Sequence, residues 1–194
     1  MRHLLLLLLP TLLAGCASMA SAPPSVVRPA QIEHAPFVMN GRIAVKHNGE
    51  RTSATVRWTH TIKDDEILLF APLGQTVARI VQNAEGVVLD TSGKHYTAHN
   101  TEALTQQVLG WSLPLNGLRY WVLALPAPDS EFALERNEHG QISQLQQTGW
   151  TINYARYATT EAESLPLRMT LQREELHIQL LVDEWEVGGA AVAN

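Results

Sequence analysis

Apolar and polar residues alternate along most of the chain. Phe37, Met39, Ile43 and Val45 fall on one side of an extended segment, with Asn40, Arg42 and Lys46 on the other. Gly41 in the middle predicts a bulge or a sharp bend. His47-Asn48-Gly49-Glu50 predicts a hairpin turn. Thr52 to Thr59 answers it, with Ala54, Val56 and Trp58 inward and Ser53, Thr55 and Arg57 outward; 60–65 reads as a polar turn. Ile67 to Phe70 and Val77 to Ile80 are two apolar, β-prone runs around Ala71-Pro72-Leu73-Gly74. After a turn at 83–86, Val87 to Thr91 and Lys94 to Ala98 close a meander of six strands.

The period then changes. Asn100 or Thr101 can cap a helix from about Glu102 to Leu109, stopped by Gly110. A second helix, about Leu115 to Leu125, places Leu118, Trp121, Val122 and Leu125 on one apolar stripe and stops at Pro126. Alternation resumes over Phe132–Arg136, Gln141–Gln147, Trp150–Tyr157, Leu167–Gln172 and Leu176–Trp185. The pattern predicts a mainly β protein: about 10–11 short antiparallel strands, one face apolar, with a helical insert after the sixth. Such a sheet must curl or pack on something. An open, incomplete barrel with the helices over its mouth satisfies it, and its interior can hold a ligand.

The turn at Ala71-Pro72-Leu73-Gly74 carries a second signal. Proline suits the second position of a β-turn and glycine the fourth. Leu73 then sits at the hairpin tip, where a polar residue is usual. It either folds back onto its own hairpin or stands out as an apolar finger. Burying one leucine in lipid yields about 1.5–3 kcal/mol, enough to probe a bilayer and too little to hold a protein there.

An anchor is predicted at the other end. Met1-Arg2-His3 is a basic head, Leu4 to Leu13 an apolar run, and Leu13-Ala14-Gly15-Cys16 resembles the lipobox of bacterial lipoproteins. The run is too short to span a bilayer as a helix but fits a signal-peptide core. Residues 1–15 are expected to be removed and Cys16 to carry lipid, with 16–35, rich in Ala, Ser and Pro, as a linker. Residues 36–187 form the domain and 188–194 a disordered tail. Ala17 after the cysteine, rather than Asp, points to the outer membrane of a Gram-negative host.

Composition narrows the function. Formal net charge is -5, which disfavours nucleic acid as a partner. Cys16 is the only cysteine, so no intrachain disulfide forms. There is no Gly-x-Ser-x-Gly elbow and no His-Glu-x-x-His pair, and the glycines before Ser92-Gly93-Lys94 are too far apart for a P-loop. The expectation is no enzyme, no metal and no cofactor. The five tryptophans serve equally as core or as the wall of an acyl-chain pocket, and the residues do not separate these.

Several blocks in order resemble the outer-membrane lipoprotein receptor family LolB. They are Asn40-Gly41-Arg42, Trp58, Pro72-Leu73-Gly74 with Thr76, Tyr96-Thr97-Ala98, Leu109-Gly110 with Leu113-Pro114-Leu115, Leu118-Arg119-Tyr120-Trp121, Leu125-Pro126, Gly149-Trp150 and Trp185. The resemblance runs from about Phe37 to Trp185; the linker and the extension over 188–194 depart from it. It implies a LolA/LolB-like half-barrel with a helical lid over an acyl-chain cavity. It further implies a monomeric receptor on the periplasmic face of the outer membrane, which takes lipoproteins from a LolA-type periplasmic carrier and inserts them into the inner leaflet. Leu73 maps to the family's exposed residue for membrane insertion, which favours the finger. Inward positions expected to line the cavity are Ile43, Trp58, Leu69, Ile80, Leu89, Trp121, Trp150, Met169 and Ile178. The alternative is a lipid-anchored structural or adaptor protein with a filled core and no cargo.

Overall fold

A computed structural model of the protein describes residues 35–188. Cys16, the signal segment, nearly all of the linker and the tail beyond 188 lie outside the described residues. The first meander comprises β1 (Phe37–His47), β2 (Glu50–His60), β3 (Asp64–Phe70), β4 (Thr76–Asn83), β5 (Gly86–Thr91) and β6 (Lys94–Ala98). Two helices follow, α1 (Thr101–Leu109) and α2 (Leu115–Trp121). A second meander comprises β7 (Phe132–Arg136), β8 (Ile142–Gln147), β9 (Trp150–Tyr157), β10 (Pro166–Arg173) and β11 (Leu176–Val187). All pair antiparallel into one sheet of order β6-β5-β4-β3-β2-β1-β11-β10-β9-β8-β7. The two edges, β6 and β7, do not pair, so the barrel stays open. The helices run between those edges.

Tight turns set the register. Asn48 and Gly49 both have positive φ (50° and 84°), the conformation that matches a two-residue hairpin to the strand twist. Gly41 is where β1 slips against β11: the register shifts between Asn40 and Gly41. A Cβ at Gly41 would lie 2.3 Å from the Leu181 carbonyl oxygen, so only glycine lets the backbones approach this closely. Polar side chains clasp the same seam, which joins the two meanders. Asn40 Nδ2 donates to Glu184 and Arg57 donates to Asn40 Oδ1. Arg42 donates twice to Asp183, at 2.7 and 3.2 Å. That hydrogen bonding, with the charge of Asp183, holds the Arg42 guanidinium pKa above its ordinary value.

Two expectations need correction. Helix α2 ends at Trp121, not near Leu125. Ala124 adopts φ 53°, and the amides of Ala124 and Leu125 donate back to Trp121 and Tyr120. This is the left-handed helix stop usually built on glycine; an alanine in that place gave no sequence signal. The second correction concerns 60–65. Only 61–63 form the turn, while His60 and Asp65 lie in strands and are about 5% exposed. Asp65 Oδ1 accepts from Trp58 Nε1 at 2.8 Å and lies 2.8 Å from His60 Nδ1. The partners sit on two adjacent strands, so the run 60–65 looks like a loop until the strands pair.

Candidate functional site: a hollow under the helical lid

The inward faces of the strands make the floor and the helices the roof. Gln82 of β4 fastens the roof on one side: its Nε2 donates to Asn116 Oδ1 at 2.6 Å, and its Oε1 accepts from Thr101. Gln147 at the end of β8 fastens the other. Its Oε1 accepts from Trp121 Nε1 and from the Ala127 amide, both at 2.8 Å, and its Nε2 donates to Ala127 and Ser130. Tyr154 on β9 donates its hydroxyl to the Trp121 carbonyl at 2.8 Å. Within the roof, Thr105 Oγ1 donates to the Thr101 carbonyl and accepts from the Leu113 amide, tying α1 to the connection before α2.

Beneath this roof the two halves of the sheet differ. Over the second meander the space is packed. Trp121 and Trp150 are in ring contact at 6.1 Å, and Leu123, Leu145, Ile152 and Met169 are fully buried around them. Over the first meander a hollow of about 270 Å³ remains. Met39, Ile43 and Val45 of β1, Ala54, Val56 and Trp58 of β2, Ile67 and Leu69 of β3, Ile80 of β4 and Leu180 of β11 line it. Trp111, Leu113 and Leu118 line it from the helical insert. His47, Glu50, Thr52 and Ser53 belong to the same wall at the β1–β2 turn. Ile43, Val45 and Leu69 are only partly buried although they face this interior.

Of the nine positions expected on a cavity wall, Ile43, Trp58, Leu69 and Ile80 lie on this one. Leu89, Trp121, Met169 and Ile178 do not; all four are buried, and Ile178 borders a different depression between β1, β10 and β11. Trp150 borders a separate depression. Alternation identifies the inward face of each strand but not which part of that face the helices fill. Trp111, Leu113 and Leu118 were visible as apolar positions of the insert, yet their place over β1–β4 depends on how the insert folds back. Gln82, Gln147 and Thr105 had no signal beyond being polar.

Leu73 is 89% exposed. The Gly74 amide donates to the Ala71 carbonyl and the Ala71 amide to the Gln75 carbonyl, closing the turn with Pro72 and Leu73 at its tip. Gly74 has φ 81°, left-handed backbone that keeps the turn tight. The strand register puts this hairpin at the same end of the sheet as the β1–β2 turn, the end at which the hollow has its polar wall. The chain enters the domain at the opposite end, where the Gly188 amide meets the Pro36 carbonyl.

Fold and hollow together define a class: an open β half-barrel roofed by a helical insert over an apolar interior. A solved domain from Vibrio parahaemolyticus, described as that of an outer membrane lipoprotein-sorting protein, has the same fold. It superposes with a TM-score of 0.52 at 10% identity, over 85% of this chain and 89% of that one. The sequence resolves the family. The profile of the outer membrane lipoprotein LolB matches residues 35–185. The Outer-membrane lipoprotein LolB of Chromobacterium violaceum is 37% identical over 95% of this chain and 99% of its own length. That of Nitrosomonas europaea is 39% identical over 90% of this chain and 87% of its own. The chain belongs to the LolB family of outer-membrane lipoproteins.

Proposed function

We propose that this protein is a tethered receptor that accepts lipoproteins from a LolA-type periplasmic carrier and releases them into the inner leaflet of the outer membrane. The hollow over the first meander is the observation that carries the reading. A protein that only needed a core would fill it, because close packing is the ordinary state of an interior. Here Ile43, Val45 and Leu69 are left half-covered around an apolar space while the other half of the same sheet is packed with indoles. At about 270 Å³ the space sits just below the range of roughly 300–1,000 Å³ usual for ligand sites. Two or three acyl chains need more room than this, so the roof must yield when they enter. Handover from one apolar surround to another is nearly balanced in free energy, so the receptor needs no nucleotide.

Two further residues complete the division of labour. Cys16 carries the lipid that holds the protein at the outer membrane, since more than one acyl chain makes attachment stable. Leu73 is the finger that enters the bilayer at the moment of release. The segment 16–35 reaches at most about 65–70 Å, enough to let the Leu73 end of a monomeric domain turn toward the membrane that holds its tether.

A hydrophobic fluorophore tests the reading. The protein is expected to take up the dye, and a triacylated lipoprotein is expected to displace it. Dye that does not bind, or that lipoprotein leaves in place, would favour the filled adaptor instead.

A further inference from the structure

The strand pairing leaves a gap beside the hollow. β1 and β2 pair all the way to their turn, from Phe37 opposite His60 to His47 opposite Glu50. β2 and β3 pair only from His60 opposite Asp65 to Thr55 opposite Phe70. There β3 turns off, and its turn makes its backbone bonds internally, Ala71 with Gln75 and Gly74 with Ala71. The first part of β2, Glu50 to Ala54, thus has no strand on that side among the described residues. Successive residues of an antiparallel strand aim their amide and carbonyl to alternate sides. His47 and Glu50 flank a two-residue hairpin turn and bond each other, as do Val45 and Thr52 two residues on. Arg51 and Ser53 therefore aim theirs away from β1, into the gap, and both residues are exposed.

The hollow reaches this gap. Along β2 its wall takes the alternate, inward residues Glu50, Thr52, Ala54, Val56 and Trp58, and Ser53 breaks the alternation. The Ser53 side chain belongs to the outer face, so the hollow meets this residue along its backbone edge. Nothing from 71–76 belongs to the wall. Burial falls off in the same direction: Trp58 and Val56 are buried, Ala54 is half-buried, and Thr52 and Glu50 are exposed. The mouth of the hollow is therefore at the open edge of β2.

We propose that this edge binds the backbone of the cargo: the extended residues that follow the acylated cysteine add a short strand beside Arg51 and Ser53, while the tails pass through the mouth into the hollow. The proposal rests on the receptor reading above. The covalent structure of a lipoprotein supplies the occupant. Acyl chains and polypeptide leave the same cysteine, so the peptide begins where the tails enter. An open strand edge is a template for an extended peptide, and its main-chain bonds give affinity without reading side chains. Such an edge suits a receptor for a class of proteins whose sequences differ after the cysteine. Leu73 sits on the turn that bounds the gap, which places the finger next to the joint of the bound cargo.

The test uses the full-length protein in nonionic detergent, titrated with a triacylated cysteinyl pentapeptide and with analogues N-methylated at one peptide bond at a time. Each methyl removes one donor and crowds any strand pairing at that position, and the protein stays native throughout. Affinity is expected to fall about fivefold or more, the worth of one neutral hydrogen bond, at alternate positions and to hold at those between. The Arg51 and Ser53 amide resonances should move downfield with lipopeptide and stay in place with a hydrophobic dye. Arg51→Pro removes an edge amide that makes no bond to β1, a place where a strand tolerates proline, and should weaken lipopeptide binding about fivefold. A methylation series that is flat or falls without alternation would overturn the edge alone, as would an Arg51→Pro variant that folds and binds lipopeptide like the wild type. A wild-type dimer that Arg51→Pro dissolves, with lipopeptide affinity unchanged, would also overturn it and assign the edge to a second copy of the chain. Wild-type protein that takes up dye but no lipopeptide would remove the receptor reading itself, and the edge with it.

Discussion

Replacing Leu73 by glutamate is expected to separate holding a cargo from delivering it. With its side chain 89% exposed, Leu73 contributes almost nothing to the folded state, and Leu73→Glu should change stability by less than about 0.5 kcal/mol. The position is at the tip of a hairpin and is absent from the wall of the hollow, so affinity for dye or lipopeptide should also stand. What changes is insertion. A buried leucine is worth about 1.5–3 kcal/mol, and every 1.4 kcal/mol is about tenfold in an equilibrium. The inserted population of the finger should fall about ten- to a hundredfold, further still because the carboxylate resists desolvation. Sedimentation with vesicles would miss this, because the lipid anchor proposed at Cys16 would gain about 0.8 kcal/mol per buried methylene and keep the protein attached regardless. The informative assay loads the tethered protein from its carrier and counts lipoprotein reaching vesicles. Normal loading with delivery reduced at least tenfold is expected. Delivery at the wild-type rate would refute the finger, and so would a loss of loading equal to the loss of delivery.

The remaining predictions concern what keeps the bowl in shape. Gly41→Ala pushes a Cβ to 2.3 Å from the Leu181 carbonyl oxygen; chemical denaturation should show a loss of about 1–3 kcal/mol or more, and an unchanged midpoint would mean the seam can relax. Asp65→Leu removes the acceptor shared by the buried Trp58 Nε1 and His60 Nδ1 and should cost about 1–3 kcal/mol for each group left unsatisfied; a loss under about 1 kcal/mol in all would show that this cluster stabilises little. Gln82→Ala removes the ties from β4 to Thr101 and Asn116. Stopped-flow mixing should show faster dye uptake, with stability down by about 1–2 kcal/mol; an unchanged rate would mean the roof opens elsewhere.

The strands were legible because alternation reports burial on one side, and burial is local in sequence once a strand is extended. Phe37 to His47, the Asn48-Gly49 turn, the kink at Gly41 and the Pro72-Leu73-Gly74 tip could all be read this way. Helix α1 announced itself by Asn100, whose side chain caps the Ala103 amide, and by Gly110 in the left-handed conformation at its end. The end of α2 could not be read, because Ala124 takes a backbone conformation that its residue type does not advertise. His60 and Asp65 misled for a similar reason. Polar residues near a turn look solvated until a neighbouring strand supplies partners.

The site divides along the same line. Sequence alone determined which faces turn inward, that an apolar residue occupies a hairpin tip, and the order of blocks that marks the family, since each depends on residue type and spacing. The tertiary structure decided where the interior stays empty. Ile43 and Ile178, or Trp58 and Trp121, are indistinguishable as inward apolar residues. They differ because a two-helix insert folds back asymmetrically, packing Trp121 against Trp150 over one meander and roofing the other without filling it. Empty volume is a relation between surfaces distant in the chain, fixed by long-range ties such as those of Gln82 and Gln147, and no local pattern of residues encodes it.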